Sequence, residues 1–229
     1  MTSSVFWQHL FADTHDGHFL NACLHSVVMV GATEIGDKTF FIAAILAISR
    51  PATHVFLGCW GALAAMTVLS AVIGVLVPTL FSSVISHWCA IALFVFFGVN
   101  AIKDAISMYS KGEGDGVSDE LAETEKELSD ADTIRKSKNA LGLIAAIFTM
   151  TFVAEWGDKS QVATVAMGAA RDFGGTVLGA VLGHACCTGM AIAGGKVLSK
   201  HISERAVTLG SGIVFVLFAL YAIWTGPEE

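Results

Sequence analysis

Apolar residues gather into six long stretches along the chain, near 23–48, 54–77, 87–108, 141–168, 173–198 and 206–225. Each is close to or above the ~20 residues that a helix needs to cross a bilayer, so the pattern predicts an all-α fold of six transmembrane helices. Pro51, Pro78 and Pro227 stand just beyond stretch ends, where a residue that breaks helices belongs. Two polar regions complete the pattern. Residues 1–22 carry a small aromatic patch, then Asp13, His15, Asp16 and His18. They read as an interfacial segment with a solvated tail; a metal-collecting role for the His/Asp tract would rest on composition alone. Residues 109–140 hold nine acidic side chains between Glu113 and Asp132, followed by Arg135, Lys136 and Lys138. This region reads as a solvated acidic linker, with a short surface helix expected between Val117 and Leu128 and a cation-sensing role as the lesser alternative.

The two halves on either side of the linker are copies. Glu34-Ile35-Gly36-Asp37-Lys38-Thr39 recurs 121 positions later as Glu155-Trp156-Gly157-Asp158-Lys159-Ser160. The same ungapped offset pairs Met29 with Met150, Arg50 with Arg171, Gly58 with Gly179, Thr67 with Thr188 and Phe94 with Phe215. The unit is therefore a three-span repeat, residues 23–108 and 141–229. Because three is odd, the second copy enters the membrane from the opposite side. Inverted repeats of this kind place a transport site near the midplane, between the copies.

Composition agrees with the pattern. The chain is 54% hydrophobic and 14% charged, where soluble domains carry about 25% charged residues. Its formal charge of −7 comes mostly from the linker, and no nucleic-acid partner is expected. The five cysteines, an odd number, fall in or beside apolar stretches and imply no disulfide framework. Basic residues are lopsided: Arg50, Lys103, the linker cations, Lys196, Lys200 and Arg205 fall on one side of a six-span chain, and Arg171 alone on the other. The positive-inside rule then puts the linker in the cytoplasm and both termini outside. No signal peptide is visible in the first residues, and the expected location is a bacterial inner (plasma) membrane.

The motifs carry the chemistry. A charge at membrane depth costs at least a few kcal/mol and marks function by default. If each motif is helical, Glu34 and Asp37 share a face, as do Glu155 and Asp158. Two facing pairs would form a cage of hard oxygen ligands suited to Mg, Ca or Mn. The competing account pairs Glu34 with Lys38 and Glu155 with Lys159 at the favourable four-residue spacing. Gly36 and Gly157 serve either a local bend or close helix packing. Thr39, Ser160 and Gln161 offer neutral oxygens, and Gln161 has only Phe40 as its counterpart. Thr67 and Thr188 are matched hydroxyls in the second span of each half. Beside them stand Met66 and Cys187, with His184 one turn earlier. Soft sulfur there would tilt preference toward a transition metal, although Met and Cys more often fill gaps.

On the doubled Glu-x-Gly-Asp-Lys-Ser/Thr motif, the chain resembles the Gdt family of divalent cation/proton antiporters, whose bacterial relatives include manganese exporters of the Mnx and MneA type. The resemblance covers all but the N-terminal tail, and both motif copies match. It implies exchange of Mn2+ or Ca2+ for protons, with Glu34, Asp37, Glu155 and Asp158 as ion ligands. No resident cofactor and no enzymatic activity is expected; the cation is substrate and the proton its counter-ion. The expected partners are membrane lipid and the divalent cation, with an oligomer left open. Other cations or a small organic solute are alternative substrates. An intramembrane aspartyl protease is the enzyme alternative, but it needs neither a whole-chain duplication nor motif lysines.

Overall fold

The computed structural model describes residues 16–80, 82–111, 119–131, 133–134, 137, 139–199 and 203–226. Among these, nine helices follow in order: α1 Asp16–Glu34, α2 Lys38–Ser49, α3 Ala52–Leu80, α4 Ser83–Lys111, α5 Asp119–Asp130, α6 Ala140–Ala154, α7 Lys159–Ala170, α8 Phe173–Ser199 and α9 Glu204–Thr225. Helices α3, α4, α8 and α9 are each long and apolar enough to cross a membrane. The pairs α1–α2 and α6–α7 pass the same test only together, bent by 71° and 77°. The chain is therefore an all-helical, multi-pass membrane protein with four to six spans.

Three expectations change. The first and fourth apolar stretches are not continuous helices, because each motif breaks its helix in two. Helix α3 also runs through Pro78 to Leu80, so that proline lies in the last turn rather than beyond the helix end. The segment before the first span is shorter than expected, since α1 begins at Asp16. Trp88 and Trp224, near helix ends, are both exposed, as tryptophans at a membrane interface are; Trp7 and the His/Asp tract up to His15 lie outside the described residues.

The halves interlock. Helix α8 packs along α1 and α2, α3 packs along α6 and α7, and α4 pairs with α9. Glycines at matched positions permit the close approach that substitutes for a hydrophobic driving force in lipid. Gly58 lies against Ile147 and the Ile144 carbonyl, and Gly179 against the Cys23 carbonyl; both residues of the second contact are 121 positions from Gly58 and Ile144. Trp60 Nε1 donates to the carbonyl of Val181, its own counterpart, at 3.1 Å. One core cluster wraps α2 (Phe40, Phe41, Ile42, Ala43) with Val55, Leu143, Ile147 and Ala191. A second wraps α7 (Ala163, Ala166, Met167) with Met29, Phe94, Phe215 and Phe218.

The linker is more than a solvated connection. Helix α5 lies against α2, Thr124 is fully buried, and Ile134 joins the α2 cluster. Arg50 donates to the Ile134 carbonyl at 3.0 Å. Leu128, Ala131 and Ile134 supply the apolar edge that a reading of charge alone overlooks.

The glycine contacts are testable by thermal unfolding of detergent-solubilised protein. Gly179→Val should cost about 1–3 kcal/mol, since any Cβ there meets the Cys23 backbone. Gly189→Ala, with open space around it, should be neutral or slightly stabilising. An unchanged midpoint for Gly179→Val would contradict the α1–α8 packing.

Candidate metal centre

Each motif is a helix stop, a turn and a helix start. Glu34 ends α1, and its carbonyl accepts from the Asp37 amide at 3.2 Å; Glu155 ends α6 and accepts from the Asp158 amide at 3.2 Å. Gly36 and Gly157 have φ of +81° and +85°, and no non-glycine residue has positive φ among the described residues. A closing bond from first to fourth residue with glycine alone left-handed at the third is a type II turn. This decides between the two roles considered for the glycines. A Cβ at Gly157 would meet nothing within 4 Å, so backbone conformation, not close packing, requires glycine there.

The aspartates begin the second half-helices. Asp37 is the N-cap of α2 and accepts from the Lys38 amide at 2.7 Å. Asp158 is the N-cap of α7 and accepts from the Ser160 and Gln161 amides at 3.1 and 2.8 Å. Gln161 Oε1 in turn accepts from the Gly157 amide at 2.6 Å. Side chains thus satisfy amides that the break exposes, as burial demands. The expectation that Glu and Asp share one helical face is corrected, because they stand on opposite sides of a turn.

The two breaks meet. Glu34, Glu155 and Asp158 each offer a carboxylate oxygen, and these oxygens lie within 4.8 Å of one another. Glu34 is 2% and Glu155 3% exposed. Asp37 is not in this group. Thr39 Oγ1 donates to Glu34 Oε2 at 3.3 Å and Ser160 Oγ to Asp158 Oδ1 at 3.0 Å. Three acidic groups so close, two of them buried and Asp158 half-buried, cannot all be ionised without a compensating cation. Protons or a metal ion can supply that charge, and hard oxygen donors suit Mg, Ca or Mn.

The lysines do not compensate their own glutamates. Lys38 Nζ donates to Glu127 Oε1 of α5 at 2.7 Å. Lys159 is exposed and makes no ion pair among the described residues.

A small pocket, with room for about one water molecule, adjoins Glu155, lined by Leu63, Met66, Thr67 and Ser70 of α3, Ser160, Gln161 and Thr164 of α7, and His184 of α8. Thr67 Oγ1 donates back to the Leu63 carbonyl at 2.9 Å. Cys187 and Thr188 are buried on α8 but do not line the pocket. The matched sulfurs therefore part company, Met66 in the pocket and Cys187 beside it. Sequence reasoning left Ser70, Thr164 and His184 out of the candidate site. Their counterparts at the repeat offset are Ala191, Ala43 and Leu63, so comparing the halves for polar residues without a match would have found them.

The family model of the divalent cation/proton antiporter GDT1 matches residues 22–109 and 143–229. The chain belongs to the GDT1 family. Its relatives include a GDT1-like protein of Synechocystis sp., 37% identical over 90% of this chain and 98% of that one. GDT1-like protein 5 of Arabidopsis thaliana is 38% identical over 91% of this chain and 98% of its own length. Protein PAM71-homolog, chloroplastic, of the same plant is 43% identical over 83% of this chain but 56% of its own. No solved structure matches. GDT1 is a family of transporters, not of enzymes.

The turn yields a sharp contrast. Gly157→Ala should destabilise the protein by about 1–2 kcal/mol through left-handed strain alone, despite ample space. Asp158→Asn keeps a capping oxygen and should unfold near the wild-type temperature, whereas Asp158→Ala loses about 1 kcal/mol. Equal midpoints for Gly157→Ala and wild type would remove the turn from the account.

Proposed function

We propose that the protein exports a divalent metal cation, foremost Mn2+, in exchange for protons by alternating access, with Glu34, Glu155 and Asp158 as ligands and Asp37 joining them during the cycle. The observation that carries this reading is the meeting of three carboxylates from two broken helices within 4.8 Å, two of them buried and Asp158 half-buried. Broken helices at the contact between repeats are how secondary transporters build ion sites. The halves are read as inverted three-helix repeats, residues 23–108 and 141–229, joined by the linker. Support comes from contacts that recur at the 121-residue offset and from the family model falling on each half separately. Basic-residue asymmetry supports a cytoplasmic linker and outward termini in a bacterial inner membrane.

Both glutamates sit where a proton and a metal ion compete for the same oxygens. Ligand carboxylates must be deprotonated to coordinate, so metal binding displaces protons. The pocket supports the alternating part of the reading. Beside Glu155 the pocket is polar, lined by Ser70, Gln161 and Thr164. On the linker side the counterpart residues Phe40, Ala43 and Ala191 belong to a closed apolar cluster, with Ile134 of the linker packed on it. A polar pocket thus stands beside one motif and an apolar seal beside the other, an asymmetry that fits an alternating-access intermediate. Ca2+ is the second substrate reading, since the oxygen donors alone suit it as well.

Proteoliposomes loaded with Mn2+ and a pH-sensitive dye test the exchange. Efflux should speed up under an opposing proton gradient and carry about two protons per ion, the count that balances a divalent charge. Glu34→Gln and Glu155→Gln should each abolish it while expression stays normal. Efflux indifferent to the pH gradient, or full activity in either variant, would defeat the proposal.

A further inference from the structure

His184 stands on α8 one turn before Cys187 and Thr188, and it is 3% exposed. Its Nδ1 lies 3.7 Å from Glu34 Oε2, within ion-pair reach if the ring is protonated but beyond hydrogen-bond distance. That nitrogen has no hydrogen-bond partner, and neither does Glu34 Oε1. Buried polar atoms are nearly always paired, so two orphans on facing side chains point to a ligand that both contact. The same ring lines the pocket with Glu155 and Ser160, which places it beside the other acidic member of the centre.

The residue has no copy. Its counterpart, 121 positions earlier, is Leu63, which lines the same pocket. The duplicated motifs thus supply oxygen from both halves, but nitrogen comes from one half only. Oxygen donors accept Mg2+, Ca2+ and Mn2+ alike, whereas imidazole suits transition metals and is a poor partner for Ca2+ and Mg2+. A carboxylate cage with one imidazole would separate ions that a pure carboxylate cage would not.

We propose that His184 is a nitrogen ligand of the transported cation and sets the preference of the site for a transition-metal ion over Ca2+ and Mg2+. This rests on the reading of Glu34 and Glu155 as ion ligands. A role limited to holding Glu34 in place predicts something different: its loss would weaken every cation in the same proportion.

Mn2+ bound to the purified full-length protein in detergent reports its own ligands. Pulsed electron paramagnetic resonance should show 14N coupling to one imidazole, and labelling with 15N-histidine should replace it with 15N coupling. His184→Leu, which copies Leu63, should remove the coupling and weaken Mn2+ by about tenfold or more, with Ca2+ changed by less than about twofold. Affinity is read from metal-dependent thermal stabilisation. His184→Gln should reproduce the selectivity change if the leucine variant folds poorly. Bound Mn2+ without nitrogen coupling in the wild type, or equal losses for Mn2+ and Ca2+ in the variants, would overturn the proposal. Glu34→Gln separates the two levels. If it leaves Mn2+ and Ca2+ binding intact, the carboxylate reading itself fails. If it abolishes both while Mn2+ bound to the wild type shows no nitrogen coupling, only the assignment of His184 fails.

Discussion

Lipid cannot satisfy the amides and carbonyls that a broken helix exposes, and the way this chain closes two such breaks governs the rest of the molecule. Gly36 and Gly157 adopt left-handed backbone, the turn bonds the glutamate carbonyl to the aspartate amide, and the aspartate caps the next half-helix. Four residues thus end one helix and begin another at a sharp angle. The bends bring the carboxylates of Glu34 and Glu155 together, each at the negative end of a helix dipole. That field favours a cation, and the capping aspartates offset the positive ends of α2 and α7. The motif spacing is the spacing of this turn.

The copies are alike in the turn and unlike around it. The α7 side carries Gln161, Thr164 and Ser70 in the pocket, where the α2 side carries Phe40, Ala43 and Ala191 in a sealed core. Thr39 bonds Glu34 across the break, whereas Ser160 bonds the aspartate of its own turn. The linker adds to the difference, because Lys38 is held by Glu127 and Arg50 by the Ile134 carbonyl. Opening the linker side in the proposed cycle therefore means parting α5 from α2 and wetting an apolar seam. The two half-cycles would differ in barrier even where their motifs match.

The spans, the doubled motif and its carboxylates were legible because they are carried by length, hydropathy and exact repetition. Helix α8 lies within one residue of its expected end and α9 begins two residues early. What escaped was set by contacts distant in sequence or by backbone conformation. A lone glycine in an apolar run is a weak signal for a break, so Glu34 and Asp37 were read onto one face. Helical spacing suggested Lys38 for Glu34, but Glu127, 89 residues away, takes that lysine. The burial of Thr124 and Ile134 was masked by the acidic residues around them. His184 was visible only as a histidine in an apolar span, since its relation to Glu34 needs α1 and α8 brought together.

The central claim is that one ion binds between the halves and displaces protons from carboxylates of both. Isothermal titration of the purified protein with Mn2+, repeated in buffers of different ionisation enthalpy, measures ion count and proton release together. The account predicts one ion per chain and a net release of protons, with both lost in Glu34→Gln and in Glu155→Gln. Two independent ions per chain, or binding with no proton release, would contradict it.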